Sequence, residues 1–244
     1  MTLGYPDVSK FSEILENLAP YVGFYEIGIP TRNPKYDGPT IRTTHYHMVR
    51  SGITGLEALK LLDKIEIIKP FTIMAYLSEF IAQLRLFLEE AAAVGALCVL
   101  FPDLAFEYPE MIDKYIEESE RVGLRTCFFA SSRFPHQWLR LYAALNPLYI
   151  YLGLQPATGI KLPIFVEKNV RIARLLIGDR YLVVGFAIRT PEVALSLIKN
   201  GADAIVIGSA IIERIINNDV KGAVELAHKI HASINIKNHP TGCR

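Results

Sequence analysis

The feature that most constrains this chain is a repeated alternation of short apolar runs, each of strand length, with longer segments of helical spacing. The runs occupy residues 23–29, 71–76, 96–101, 125–129, 148–152, 181–186 and 204–208. They are nearly continuous in apolarity, as strands covered on both faces are. Segments 79–94, 109–122, 135–145, 163–176 and 191–199 carry apolar residues at i, i+3 and i+4, several with a proline near the first turn. Gly95-Ala96, Gly123-Leu124 and Gly201-Ala202 each close a helix ahead of the next strand. Strand and helix in strict turn assemble as a parallel sheet. With Met1 to Leu3 counted as the tail of a first strand there are eight strands, which predicts one (β/α)8 barrel over residues 1–244, its first strand truncated at the N-terminus. The alternative is an open doubly wound sheet, but Gly4-Tyr5-Pro6-Asp7 lacks the glycine-rich turn expected after its first strand.

The length of 244 residues suits such a barrel, which typically takes about 250. A hydrophobic content of 51% fills a sizeable core, while no apolar run reaches the roughly 18 residues of a membrane span. With 26 basic and 25 acidic residues intermixed, the chain has no field for nucleic acid or an anionic membrane, so a small ligand is expected. Cys98, Cys127 and Cys243 form no paired motif and read as reduced structural thiols. The segment from Met1 to Asp7 shows no charged leader followed by an apolar stretch, and the expected location is cytoplasmic.

Two carboxylates stand out against this frame. Glu26 lies inside the apolar run Gly23-Phe24-Tyr25-Glu26-Ile27-Gly28-Ile29, where an unpaired ionised group costs several kcal/mol to bury or shifts its pKa instead. Asp37 follows in a segment broken by Pro30, Asn33, Pro34, Gly38 and Pro39, and so belongs to a loop, solvated and mobile by its composition. Ligands of parallel barrels sit at the carboxyl ends of the strands, where both carboxylates fall. Asp103, closing another run, is placed to orient the Asp37 loop or Thr158, or to serve a structural turn.

The late strands give a second signal. Thr158-Gly159 follows the sixth strand, Gly185-Phe186-Ala187 the seventh, and Gly208-Ser209-Ala210 the eighth, ahead of a short helix. Backbone N–H groups and a helix amino end in this region of a barrel bind phosphate. Other chemistries fit less well. His45 and His47 have no third ligand at metal spacing and read as surface or partly buried residues. Lys69, Lys161 and Lys168 are not at the carboxyl end of a strand, as a Schiff-base lysine would be.

Taken together these residues resemble the tryptophan synthase alpha chain family from Met1 to about Ile216. The likeness rests on Tyr25-Glu26-Ile27-Gly28-Ile29-Pro30 with Tyr36-Asp37-Gly38-Pro39-Thr40-Ile41, on Thr158-Gly159, and on Gly201-Ala202-Asp203 through Gly208-Ser209-Ala210-Ile211. The resemblance implies a lyase of tryptophan biosynthesis that cleaves indole-3-glycerol phosphate to indole and glyceraldehyde 3-phosphate by a retro-aldol reaction. It implies no metal and no cofactor in this chain, with pyridoxal phosphate in a beta chain partner of an α2β2 assembly. By the same resemblance Glu26 is the acid/base at indole C3, and Asp37 is the partner of the indole nitrogen. Tyr76, Tyr151, Thr158, Gly159, Gly185, Phe186, Ala187, Gly208 and Ser209 match substrate-binding positions. Ala187 stands where the family has a phosphate-contacting glycine, and Thr31-Arg32-Asn33-Pro34 replaces a Phe-Ser-Asp-Pro segment. The family's leading helix and most of its first strand have no counterpart here. Two other readings are a non-catalytic regulatory subunit of a beta partner, and another phosphate-binding barrel enzyme, an isomerase or prenyltransferase.

Overall fold

The turn and cap signals are realised much as the sequence lays them out. The structure is a computed structural model that describes residues 1–131, 136–154, 166–186 and 188–235. Its strands are β1 (Tyr25–Gly28), β2 (Phe71–Met74), β3 (Val99–Leu100), β4 (Cys127–Ser131), β5 (Tyr149–Gly153), β6 (Leu182–Gly185) and β7 (Ala204–Val206), each overlapping one of the apolar runs. The helices are α1 (Val8–Leu18), α2 (Pro39–Arg50), α3 (Gly55–Leu62), α4 (Leu84–Ala93), α5 (Leu104–Glu107), α6 (Ile112–Arg121), α7 (His136–Ala144), α8 (Val166–Ile177), α9 (Pro191–Lys199), α10 (Ser209–Ile216) and α11 (Val220–Asn235). Asp7 caps α1 by accepting from the Lys10 N–H at 2.9 Å. Gly95 and Gly123, at φ 84° and 78°, end α4 and α6 in the left-handed conformation that a Cβ would strain. The prolines expected to open α7 and α8, Pro135 and Pro163, lie outside the described residues.

All ladders are parallel. β1, β2 and β3 pair in that order, as do β4, β5, β6 and β7, and a bridge between Cys98 and Arg125 joins the two sets. The N-terminal segment adds the eighth position through a parallel bridge from Thr2 to Gly28, with the Gly28 N–H donating to the Met1 carbonyl at 2.8 Å. This is the α/β barrel arrangement in sequence order, the segment serving as the tail of its first strand. Among the described residues no ladder joins β7 to that segment.

Alternation along buried strands divides the core in two. Outward residues, including Tyr25, Ile27, Ile73, Val99, Phe128, Ile150 and Val184, pack against the helices. Inward residues Cys98, Leu100, Cys127, Phe129, Tyr149, Tyr151 and Val183 fill the barrel. Cys98 and Cys127 are free and buried within it, and burial pushes the Cys127 thiol well up. Cys243 lies outside the described residues. The parity that sends Tyr25 to the helices turns Glu26 into the barrel.

Candidate active site

Glu26 is paired with Thr72 in the register of β1 and β2. The residue keeps some surface because it lines a cavity, yet its Oε2 is fully buried and has no hydrogen-bond partner among the described residues. Burial pushes its carboxyl up to about 7. A carboxyl so placed keeps a proton near neutral pH, as a general acid requires.

Asp37 departs from the expectation of a solvated loop residue. It is only 6% exposed, and burial pushes its carboxyl up to about 6. The cover comes from other elements. The Tyr76 hydroxyl donates to Asp37 Oδ2 at 2.7 Å and accepts the Tyr36 N–H at 3.1 Å. Tyr36 stacks on Tyr76 and Phe106, with ring centroids 6.2 and 5.5 Å apart, and its hydroxyl donates to Glu107 at 2.9 Å. Lys35 pairs with the same carboxylate at 2.5 Å. The loop is therefore fastened onto the elements that follow β2 and β3. Asp103 supports this from below, since its two oxygens accept the Leu77 and Ser78 N–H groups at 2.8 and 3.0 Å and fix the turn that carries Tyr76.

His45 is a larger correction. It lies on α2 and is fully buried rather than at the surface, with Nε2 3.6 Å from Asp37 Oδ2. Its neighbour His47 is exposed and meets the Pro6 carbonyl. The signal for His45 was the helical stripe Ile41, Thr44, His45 and Met48, whose spacing aims all four inward.

The cavity has a volume of about 400 Å³ and brings together Glu26, Asp37, Tyr76, Tyr151, Phe186, Gly208 and Ser209. Tyr36, Phe129 and Met74 line it too, and were missed in the sequence; only the inward parity of β2 and β4 could have indicated the last two. The lining also includes Ala204, Tyr21, Ile230 and His231. Phe129, Tyr151 and Phe186 cluster with ring centroids 5.6 to 6.0 Å apart and make an aromatic wall. Phe186 takes φ 76°, a strained value for a bulky residue, immediately after β6. Gly185 does not line the cavity; a Cβ there would overlap the Tyr151 hydroxyl, so this glycine makes room for the wall. Gly208 precedes α10 with no side-chain cap, leaving the helix amino end open toward the cavity. Thr158, Gly159 and Ala187 lie outside the described residues, and so does Lys161.

A buried acid, a loop carboxylate, an aromatic wall and an uncapped helix end thus meet in one cavity, an arrangement that can accommodate an aromatic phosphorylated ligand. A profile of the tryptophan synthase alpha chain matches residues 1–239. The chain belongs to the tryptophan synthase alpha chain family. It is 32% identical to the tryptophan synthase alpha chain of Saccharolobus solfataricus over 238 residues, covering 95% of this chain and 94% of that one. Against the alpha chain of Thermococcus kodakarensis it is 32% identical, covering 94% and 92%. A mutant tryptophan synthase alpha-subunit from the hyperthermophile Pyrococcus furiosus superposes with a TM-score of 0.85 at 26% identity, over 95% of each chain. The tryptophan synthase complex from the same organism gives 0.84 at 26%, over 95% and 96%. Among the described residues no helix of this family member is long and apolar enough to cross a membrane.

Proposed function

We propose that this chain cleaves indole-3-glycerol phosphate into indole and glyceraldehyde 3-phosphate, as the alpha subunit of a tryptophan synthase. The observation that carries the reading is the pair Glu26 and Asp37, brought from a strand and a loop to one aromatic cavity and both raised toward neutral pH by burial. The reaction is proton traffic around a carbon–carbon bond, and the chain supplies both partners. Glu26, protonated near pH 7, gives its proton to indole C3, and Asp37 accepts the indole N–H and stabilises the positive indolenine that precedes cleavage. The base that then takes the glycerol hydroxyl proton is the Glu26 carboxylate left by the first step. Such groups contribute about 10² to 10⁴ each. Tyr151 and Phe186 hold the indole ring, and the amino end of α10 with Gly208 and Ser209 holds the phosphate. No metal or organic cofactor enters these steps.

The complex known from Pyrococcus furiosus supports a partner, and we place a beta chain carrying pyridoxal phosphate beside this subunit in an α2β2 assembly. A cytoplasmic location is part of the same proposal, and the family membership supports it. The test is indole release from indole-3-glycerol phosphate by the purified chain, alone and with a beta chain. Release that Asp37→Asn abolishes upholds the reading. A well-folded chain that releases none under either condition, while accelerating the beta chain, would make it a regulatory subunit.

A further inference from the structure

Beside the two carboxylates lies a buried group that the proposed reaction does not use. His45 Nδ1 accepts the backbone N–H of Thr31 at 3.2 Å, so in the neutral ring the proton resides on Nε2. Nε2 is buried, has no hydrogen-bond partner among the described residues, and faces Asp37 Oδ2 at 3.6 Å. That distance is just beyond hydrogen bonding, and contacts of this kind in ligand-free sites shorten when the substrate binds. Thr31 is itself held: its hydroxyl donates to Glu79 and accepts the Asn33 N–H at 3.0 Å. The chain Glu79, Thr31, His45, Asp37 thus runs from the turn after β2 to the reacting loop.

We propose that His45 is a positioning residue for Asp37, a neutral imidazole whose tautomer is set by Thr31 and whose Nε2–H closes on Oδ2 as charge develops on the substrate. The proposal rests on the reading of Asp37 as the partner of the indole nitrogen. With Tyr76 already on Oδ2, a second donor commits that oxygen to the protein and favours the charged carboxylate in a buried setting. Burial pushes the imidazole down to about 3, so it stays a neutral donor and never competes with the substrate as a cation. The groups facing the pair are Tyr76 from the turn after β2, Arg42 on α2, the Met1 amino group on the N-terminal segment, and Glu26 on β1.

The experiment compares wild type, His45→Leu and His45→Gln. Leucine fills the buried volume without a donor, and the glutamine amide restores one near the Nε2 position. His45→Leu is expected to lower kcat about 10- to 100-fold, the range for a donor to a charged group, with a much smaller change in KM. The acid limb of kcat, set by ionisation of Asp37 in the substrate complex, is expected to move to higher pH, and His45→Gln to recover most of both losses. A folded His45→Leu enzyme with unmoved kcat and acid limb would overturn the proposal, as would a glutamine variant no better than leucine. Nitrogen NMR of wild-type His45 gives a reading without mutation: the Nε2–H tautomer is expected, and Nδ1–H would sink the idea. If the wild type releases no indole, the reading of the reaction fails on its own. Carbon NMR titration of Asp37 then decides the positioning role, a higher pKa in His45→Leu supporting it and an unchanged one overturning it.

Discussion

At the scale of single residues the site is governed by what burial does to charge. Glu26 has a buried oxygen with no hydrogen-bond partner among the described residues and a carboxyl near 7, so the isosteric amide removes a proton without breaking a hydrogen bond at that oxygen. Glu26→Gln is expected to fold normally, to bind substrate, and to lower the rate of indole formation by about 10² to 10⁴. A near-wild-type rate on folded protein would take Glu26 out of the mechanism. Gly185 makes a separate demand. Its missing Cβ is the space in which the Tyr151 hydroxyl sits, so Gly185→Ala must displace a buried tyrosine from the aromatic wall. Overpacking of this kind costs about 1 to 3 kcal/mol. The expected result is a lower midpoint in urea denaturation together with a raised KM; a variant with both unchanged would show that Tyr151 has another place to go.

At the scale of elements the Asp37 loop is the instructive case. Pro34 announced a loop correctly, while Gly38 and Pro39 cap and open α2, but turn residues say nothing about what covers a loop. Its cover is Tyr76, Phe106 and Glu107, contributed from the far side of β2 and β3, a long-range arrangement without local signature. The barrel strands were legible for the opposite reason, since strands buried on both faces must be apolar throughout, and a lone Glu among them is conspicuous. His45 was hidden because a histidine on a helix looks the same from the sequence whether its stripe faces solvent or a cavity. Asp103 was read two ways and turned out to fix the turn carrying Tyr76. The fastening of the loop yields its own prediction. Glu107→Ala removes the acceptor for both Lys35 and Tyr36, and because the contact is partly exposed the loss in global stability should stay below about 1 kcal/mol. The loop itself should loosen, raising KM several-fold and speeding tryptic cleavage after Lys35. Unchanged cleavage and KM would mean that the tyrosine stack holds the loop alone.

At the scale of the whole molecule the buried groups pull stability in opposite directions as pH changes. Glu26 and Asp37 are raised by burial from 4.5 and 3.8 to about 7 and about 6. The folded state therefore binds protons that the unfolded chain has already released. Their contribution is complete below the unfolded values and is lost as pH rises through 6 and 7. His45 is lowered by burial from 6.5 to about 3, so its contribution is complete above 6.5 and is lost as pH falls toward 3. Between about 4 and 6.5 the two slopes oppose each other, and above 6.5 the Glu26 slope stands nearly alone. Denaturant midpoints measured from pH 5 to 8 should show Glu26→Gln gaining on the wild type as pH rises, with the gain growing most steeply between about 5 and 6.5 and levelling off above about 7. His45→Leu should gain on the wild type in the other direction, as pH falls from 6.5. If the difference between Glu26→Gln and wild type stays constant across that range, the carboxyl titrates alike in the folded and unfolded chains. Glu26 would then enter the reaction ionised, unable to give the first proton to indole C3.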